Sequence, residues 1–232
     1  MQITVYIISM EEALKMTYAE FVCSQLEGFQ VGQPIYTGDI AEKLAIAYAL
    51  SLKEAAAATA VAFKRIMENE QHPNLRFYQK GIYYRTSRTP FGEVGINRER
   101  LIADKYLLPD NGYETGFAVL HRMGLTSQLP RERCFASNKV TDCARLDAKL
   151  GIVVRPPKTR ISGENKAYLQ FLDVLDLMDK APVDAERPYA LLASYIKRAD
   201  LKYEQLLALA DKFYSKKTIL QLAHTAGEGG LQ

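Results

Sequence analysis

The sequence predicts an α+β fold in two domains, and three observations carry that expectation. Roughly the first 85 residues read as three helices followed by a β-hairpin. The hairpin stretch is basic, with no acidic residue between Glu70 and Glu93. Beyond residue 97, amphipathic helical stretches outnumber short β-branched runs. With 232 residues, 48% hydrophobic and 25% charged, the chain can bury a core. The same figures exclude wholesale disorder, a collagen-like chain and a coiled-coil rod.

The first helix is expected over Met10 to Leu26. Ser9-Met-Glu-Glu12 reads as its capping box, and Leu14, Tyr18, Phe21, Val22 and Gln25 recur at helical spacing. Gly28 supplies the stop. Gly32-Gln-Pro-Ile reads as a turn into a short second helix from Ile40, capped by Thr37 or Asp39. A second capping box, Ser51-Leu-Lys-Glu54, opens an alanine-rich third helix through about Glu68. Its expected core side is Leu52, Ala56, Thr59, Phe63 and Ile66. Its expected open side is Lys53, Ala57, Ala60 and Lys64, with Arg65 beside them. Small residues between cations let a helix approach a duplex closely while the cations neutralise phosphates. Alanine is also simply a good helix former, and the pattern alone leaves both readings open.

His72-Pro-Asn marks a turn. Leu75-Arg-Phe-Tyr-Gln and Ile82-Tyr-Tyr-Arg, separated by Lys80-Gly81, then read as a hairpin. Three helices and a hairpin in this order describe a winged helix-turn-helix domain, expected over residues 1–88. The wing carries Arg76, Lys80, Arg85 and Arg88. Motifs of this class place a late helix in the major groove and flanking elements on the backbone. Residues 89–97 read as a linker rich in turn formers. Charge is segregated: residues 1–50 hold two basic and six acidic side chains, and residues 51–100 hold nine and five.

The second domain is expected over 98–226 as a helix-rich α+β unit. Asn97 caps its first helix. Gly112 to Gly124 reads as its second helix, and Arg133–Ser137 and Gly151–Arg155 read as strands. Ser162-Gly-Glu-Asn opens a long helix with Leu169, Leu172, Val174, Leu175 and Met178 facing the core. Helices near 189–199, 203–213 and 215–223 follow, then a flexible tail over 227–232.

No catalytic constellation emerges, so the chain is expected not to be an enzyme. There is no glycine-rich phosphate loop, no Gly-x-Ser-x-Gly and no Asp-x-Asp. The helical series Asp173, Asp176 and Asp179 reads as a solvated face rather than a metal site. Cys134 reads as a small buried thiol and His121 as a boundary residue. Cys23, Cys134 and Cys143 show no paired spacing, and His72, His121 and His224 lie far apart, so neither disulfide framework, metal nor cofactor is expected. No apolar run approaches the roughly 18 residues of a bilayer span. The N-terminal Met-Gln-Ile-Thr-Val-Tyr-Ile-Ile has no basic start or cleavage signal, and a cytoplasmic location is expected.

Five segments follow one another in order: Lys80-Gly-Ile-Tyr-Tyr84, Thr89-Pro-Phe-Gly-Glu93, Gly112-Tyr-Glu-Thr-Gly116, Gly124-Leu-Thr-Ser-Gln-Leu-Pro130 and Val154-Arg-Pro-Pro-Lys158. In these the chain resembles the AbiEi-like antitoxins of bacterial type IV toxin–antitoxin systems, over roughly residues 35–225. Residues up to about Phe29 lie outside the likeness. The resemblance implies a DNA-binding winged helix that represses its own operon at promoter inverted repeats. It also implies a C-terminal domain that counters a nucleotidyltransferase-like toxin, without requiring a stable complex. Inverted repeats require two copies on DNA, as a dimer or as monomers side by side. With few side chains on the third helix able to read base edges, phosphate contacts and DNA shape carry the expected recognition. The alternative reading is a protein-interaction module whose winged helix does not bind DNA.

Overall fold

A computed structural model describes residues 16–230, and the chain divides into two units at Leu101 and Ile102. The capping box read at Ser9–Glu12 lies outside the described residues. The first described helix, α1 (Tyr18–Glu27), opens instead on a second such box, in which Thr17 accepts from the Glu20 amide and Glu20 reaches back to Thr17. Strand β1 (Pro34–Tyr36) follows, then α2 (Thr37–Tyr48) and α3 (Leu52–Glu68). Neither Thr37 nor Asp39 caps α2, because both already lie inside its first turn. Ser51 and Glu54 form the expected reciprocal cap of α3.

Strands β2 (Leu75–Gln79) and β3 (Ile82–Arg85) meet at the expected Lys80-Gly81 turn. The resulting antiparallel sheet has the order β1-β3-β2, so the strand before α2 pairs with the second strand of the hairpin. Val22, Leu26, Ile35, Ile40, Ala62, Phe63, Ile66 and Leu75 form the core behind it. The Phe63 ring stacks on Tyr83 at 4.4 Å between centroids.

The buried stripe of α3 departs from the expected one. Ala55, Thr59, Ala62, Phe63 and Ile66 face inward, whereas Leu52 and Ala56 are exposed. The helix is turned so that Ala55 joins the buried cluster of Phe21, Ala41, Leu44 and Ala45. Thr59 is fully buried and its hydroxyl has no hydrogen-bond partner among the described residues. A buried, unpaired hydroxyl opposes folding, and valine keeps the branched shape without it. Thr59→Val should therefore raise stability by about 1 kcal/mol, read as a shifted urea midpoint at unchanged slope. A neutral or lower midpoint would mean that Thr59 finds a partner.

Residues expected as a linker carry a second hairpin, β4 (Arg88–Thr89) with β5 (Gly92–Glu93). Helix α4 (Arg98–Ile102) comes next, capped by Asn97 as expected: its carboxamide oxygen accepts from the Arg100 amide at 3.0 Å.

The second unit begins with a π-helical turn (Ala103–Leu107) that the sequence reading did not anticipate. Gly112 to Thr115 is not helix but strand β6, and helix α5 is confined to Phe117–Arg122. The backbone decides this. A side chain at Gly112 would lie 2.4 Å from the Tyr106 carbonyl and 2.7 Å from that of Ala136, an approach that only glycine allows beside β7 (Arg133–Ser137). A short β8 (Arg145–Asp147) and β9 (Ile152–Arg155) complete a sheet of order β6-β7-β9-β8, with β7 and β9 parallel.

Helices α6 (Lys166–Leu177), α7 (Pro188–Arg198), α8 (Tyr203–Phe213) and α9 (Lys216–Gly229) then build a helical core with α5. Val119, Leu120, Phe171, Leu172, Leu192, Ile196, Leu206 and Leu222 fill it. α9 runs through the segment expected as a tail, as far as Gly229. The architecture is thus mixed α+β throughout. Among the described residues, no single helix is long and apolar enough to cross a membrane.

Three titrating groups tie stability to pH. Burial first, and the charge of Arg85 second, hold His72 below the ordinary histidine value of 6.5. Burial works against the Glu114 carboxylate, but bonds from Arg133 and Arg122 outweigh it and lower its pKa. Asp147 is lowered in the same way, with burial opposed chiefly by Lys105 and Tyr106. In all three cases the unfolded chain binds protons more readily than the fold. Stability should therefore fall as pH drops below about 6.5, and fall further below about 4.5. Urea midpoints across pH 7.5 to 3.5 check this, and His72→Gln should remove the first step. A flat profile down to pH 5 would contradict the account of His72.

Candidate nucleic-acid interface

The expected open face of α3 is open. Lys53, Ala57, Ala60 and Lys64 are all exposed, joined by Ala56 and Val61. The capping box fixes where this face starts, because it sets the first helical residue at Leu52. Lys64 lies 3.7 Å from Glu68 one turn on, an exposed pair that holds its partner weakly. Arg65 is exposed but sits to one side of this face, lining a groove with Ala57, Ala58 and Val61 of α3 and Thr17, Tyr18 and Ala19 at the start of α1. Two apolar side chains of α3 are exposed as well: Leu52, 64% exposed at the first helical position, and Val61, 50% exposed beside Ala57.

The β2–β3 hairpin differs from expectation in what its arginines do. Arg85 does not face outward. One of its guanidinium nitrogens, Nη1, donates to the carbonyls of Leu26 at 3.3 Å, Glu27 at 3.0 Å and Phe29 at 2.9 Å. It closes the C-terminal end of α1, where helix carbonyls lack partners and the dipole favours a cation. Arg76 is also engaged. Its Nε and Nη2 grip the Glu93 carboxylate at 3.3 and 2.9 Å, and its Nη1 donates to the carbonyls of Pro73 and Leu75. These bonds raise the Arg76 pKa and lower that of Glu93. Lys80 is exposed at the turn, and the neighbouring Gly81 carbonyl accepts from the Thr37 amide. The turn therefore lies against the start of α2 rather than extending freely.

Arg88 is exposed on the second hairpin. Of the nine residues expected to meet DNA, the structure brings Lys53, Ala57, Ala60 and Lys64 onto one face. Arg65 flanks them, Lys80 and Arg88 are exposed on two hairpins, and Arg76 and Arg85 are held by internal bonds. Phe91, at the tip of β4–β5, is wholly exposed and was not singled out from the sequence. The sequence signal for it is Thr89-Pro-Phe-Gly, an aromatic at a turn inside the expected linker.

The second unit holds a different polar centre. Asp173 was expected on a solvated helix face, and it is 1% exposed. Its carboxylate accepts from Tyr113 at 2.9 Å, Thr115 at 3.1 Å, Tyr214 at 2.9 Å and the Arg155 guanidinium. Burial, then the Asp173 charge, push the phenols of Tyr113 and Tyr214 upward, so both remain protonated donors. Every group around the carboxylate is thus satisfied from within, and the centre is a structural knot. Asp176 and Asp179 sit nearer the surface, bonded to Thr218 and Gln221 of α9. Cys134 is half-buried, with burial raising its thiol, and a ring nitrogen of His121 lies 3.1 Å from the Thr126 carbonyl. Among the described residues no three His, Cys, Asp or Glu side chains converge as a metal site.

The chain matches no family model, no curated protein and no solved structure.

Proposed function

We propose that this chain is a DNA-binding autoregulator whose first unit is a winged helix-turn-helix domain. One observation carries the reading. α2 and α3 are bent by 115° across Ala49-Leu50-Ser51, and the helices are framed by a sheet of order β1-β3-β2. Two helices at such an angle on a three-residue turn are the geometry of a helix-turn-helix, and the hairpin after α3 stands where a wing belongs. The exposed Lys53, Ala57, Ala60 and Lys64 make α3 the helix that enters a major groove. Small side chains allow close approach, and the two lysines meet phosphates on either side.

The likeness to AbiEi-like antitoxins extends this to an operon repressor and antitoxin of a type IV system, with two copies seated on promoter inverted repeats. The second unit would then counter a nucleotidyltransferase-like toxin. A promoter reporter carrying the upstream region of the gene tests the reading. The intact chain should repress it, and Lys53→Glu with Lys64→Glu should release it. Equal reporter output with and without the intact chain would overturn it.

A second reading keeps the same fold as a protein-interaction module that does not bind DNA. The exposed Leu52 and Val61, and the internal engagement of Arg76 and Arg85, favour it. A stable complex with a nucleotidyltransferase-like toxin on gel filtration, with no binding to upstream DNA, would support it instead.

A further inference from the structure

The most unusual exposed group in the first unit is the ring of Phe91. It is 100% exposed, although burying a phenylalanine side chain would be worth about 1.5–3 kcal/mol. Single exposed apolar residues are ordinary, and this one matters because of how it is held. The Phe91 amide donates to the Thr89 hydroxyl at 3.3 Å, and that hydroxyl donates to the Gly92 carbonyl at 2.8 Å. Gly92 adopts φ +115, which side-chain-bearing residues rarely reach, and Pro90 fixes its own φ before it.

The base of the hairpin is fastened as well. Thr86 donates to the Val94 carbonyl, the Val94 amide donates to the Ser87 carbonyl, and Arg76 grips Glu93. A short, braced hairpin therefore holds one aromatic ring out in water, with most of its ordering cost already met by the fold.

Charge indicates what the ring meets. No acidic residue lies between Glu70 and Glu93, and Glu93 is neutralised by Arg76. Arg88 flanks the tip and is exposed. Arg76 and Arg88 together face the single carboxylate of Glu93, which lies opposite Arg88 in the strand pair, so the hairpin carries a small excess of positive charge that suits a polyanion and opposes docking on a basic surface. Apolar side chains presented among cations are the devices that wedge between base steps from the minor groove and kink the duplex.

We propose that the β4–β5 hairpin is a DNA-inserting element, with Phe91 wedging a base step in the minor groove and Arg88 holding the adjacent phosphate. This rests on the reading of the first unit as a DNA-binding domain. It assigns the role expected of the β2–β3 wing to the hairpin after it. It also gives Arg76 the part of a brace.

The test uses the full chain and a duplex of its own upstream sequence, with binding followed over a salt series and bending by fluorescence energy transfer between labelled duplex ends. The intact chain should bind and bend the duplex. Phe91→Ala should lose most of the bend and weaken binding roughly tenfold with the salt slope unchanged, because the ring carries no charge. Phe91→Leu, another wedging side chain, should keep most of the bend. Arg88→Ala should lower the salt slope by about one. The ring is fully exposed, so neither substitution at 91 should alter the melting temperature. If the intact chain binds and bends the duplex but Phe91→Ala does so equally, the wedge is overturned and the DNA-binding reading stands. If the intact chain does not bind the duplex, both fall. A loss confined to association with a toxin or a second copy would also overturn the wedge and assign the ring to a protein surface.

Discussion

Asp173→Ala is expected to destabilise the second unit by about 3–5 kcal/mol, as much as truncating a large core side chain. The carboxylate, on α6, accepts from donors in three other parts of the unit: Tyr113 and Thr115 on β6, Arg155 at the end of β9, and Tyr214 just after α8. Removing it strands the partly buried Arg155 guanidinium and takes the printed acceptor of the buried Tyr113 phenol, while Tyr214 keeps the Leu169 carbonyl at 3.3 Å. Each unpaired buried donor costs about 1–3 kcal/mol, and the orphaned cation adds to that. Tyr113→Phe removes one donor and leaves the ion pair, so it should cost only about 1 kcal/mol. Urea denaturation of the full chain measures both. A loss below about 1 kcal/mol for Asp173→Ala would mean that water or a rearranged neighbour replaces the carboxylate.

This knot also illustrates what the sequence could and could not disclose. Asp173, Asp176 and Asp179 share a helical face by spacing, and from spacing alone that face reads as solvated. Its donors lie 18 to 60 residues away along the chain, and only the folded sheet brings them in. Arg85 was misread for the same reason, since the carbonyls it serves precede it by 56 to 59 residues. The capping box at Ser51, the Lys80-Gly81 hairpin and the Asn97 cap were legible because each is decided within a few residues. The three-residue strands β1 and β8 left too short a pattern to detect, and β6 is strand only because β7 pairs with it. The phase of the α3 stripe was legible at Thr59, Phe63 and Ile66 and wrong at Leu52 and Ala56, where packing of Ala55 against α1 and α2 decides. The open cationic face, which carries the functional reading, survived that error because Lys53, Ala57, Ala60 and Lys64 lie opposite the core under either phase.

Lys53→Ala with Lys64→Ala is expected to weaken binding to upstream DNA by about 10- to 100-fold near 100 mM salt, and to lower the salt slope by about two. Each lysine that meets a phosphate releases counterion, so two lost contacts remove roughly 1.8 from the slope. Both side chains are exposed, and the Lys64–Glu68 pair is too solvated to matter to the fold. Melting temperature should hardly change. Arg85→Ala should behave in the opposite way. It uncaps the end of α1 and lowers stability, while its direct effect on the salt slope should be small. Arg76→Ala should loosen the β4–β5 hairpin more than it removes a phosphate contact, because its guanidinium is already taken by Glu93. An unchanged slope for the double lysine variant, or a large slope change for Arg85→Ala, would reverse the assignment of surface and brace.

The most direct test of the central claim is equilibrium binding of the intact full chain to its own upstream duplex and to a scrambled duplex of equal length, across 50 to 300 mM salt. The intact chain is expected to bind with an affinity that falls steeply with salt and to prefer the upstream duplex at every concentration. Absence of binding to either duplex at about 100 mM salt, where basic DNA-binding domains still hold, would contradict it.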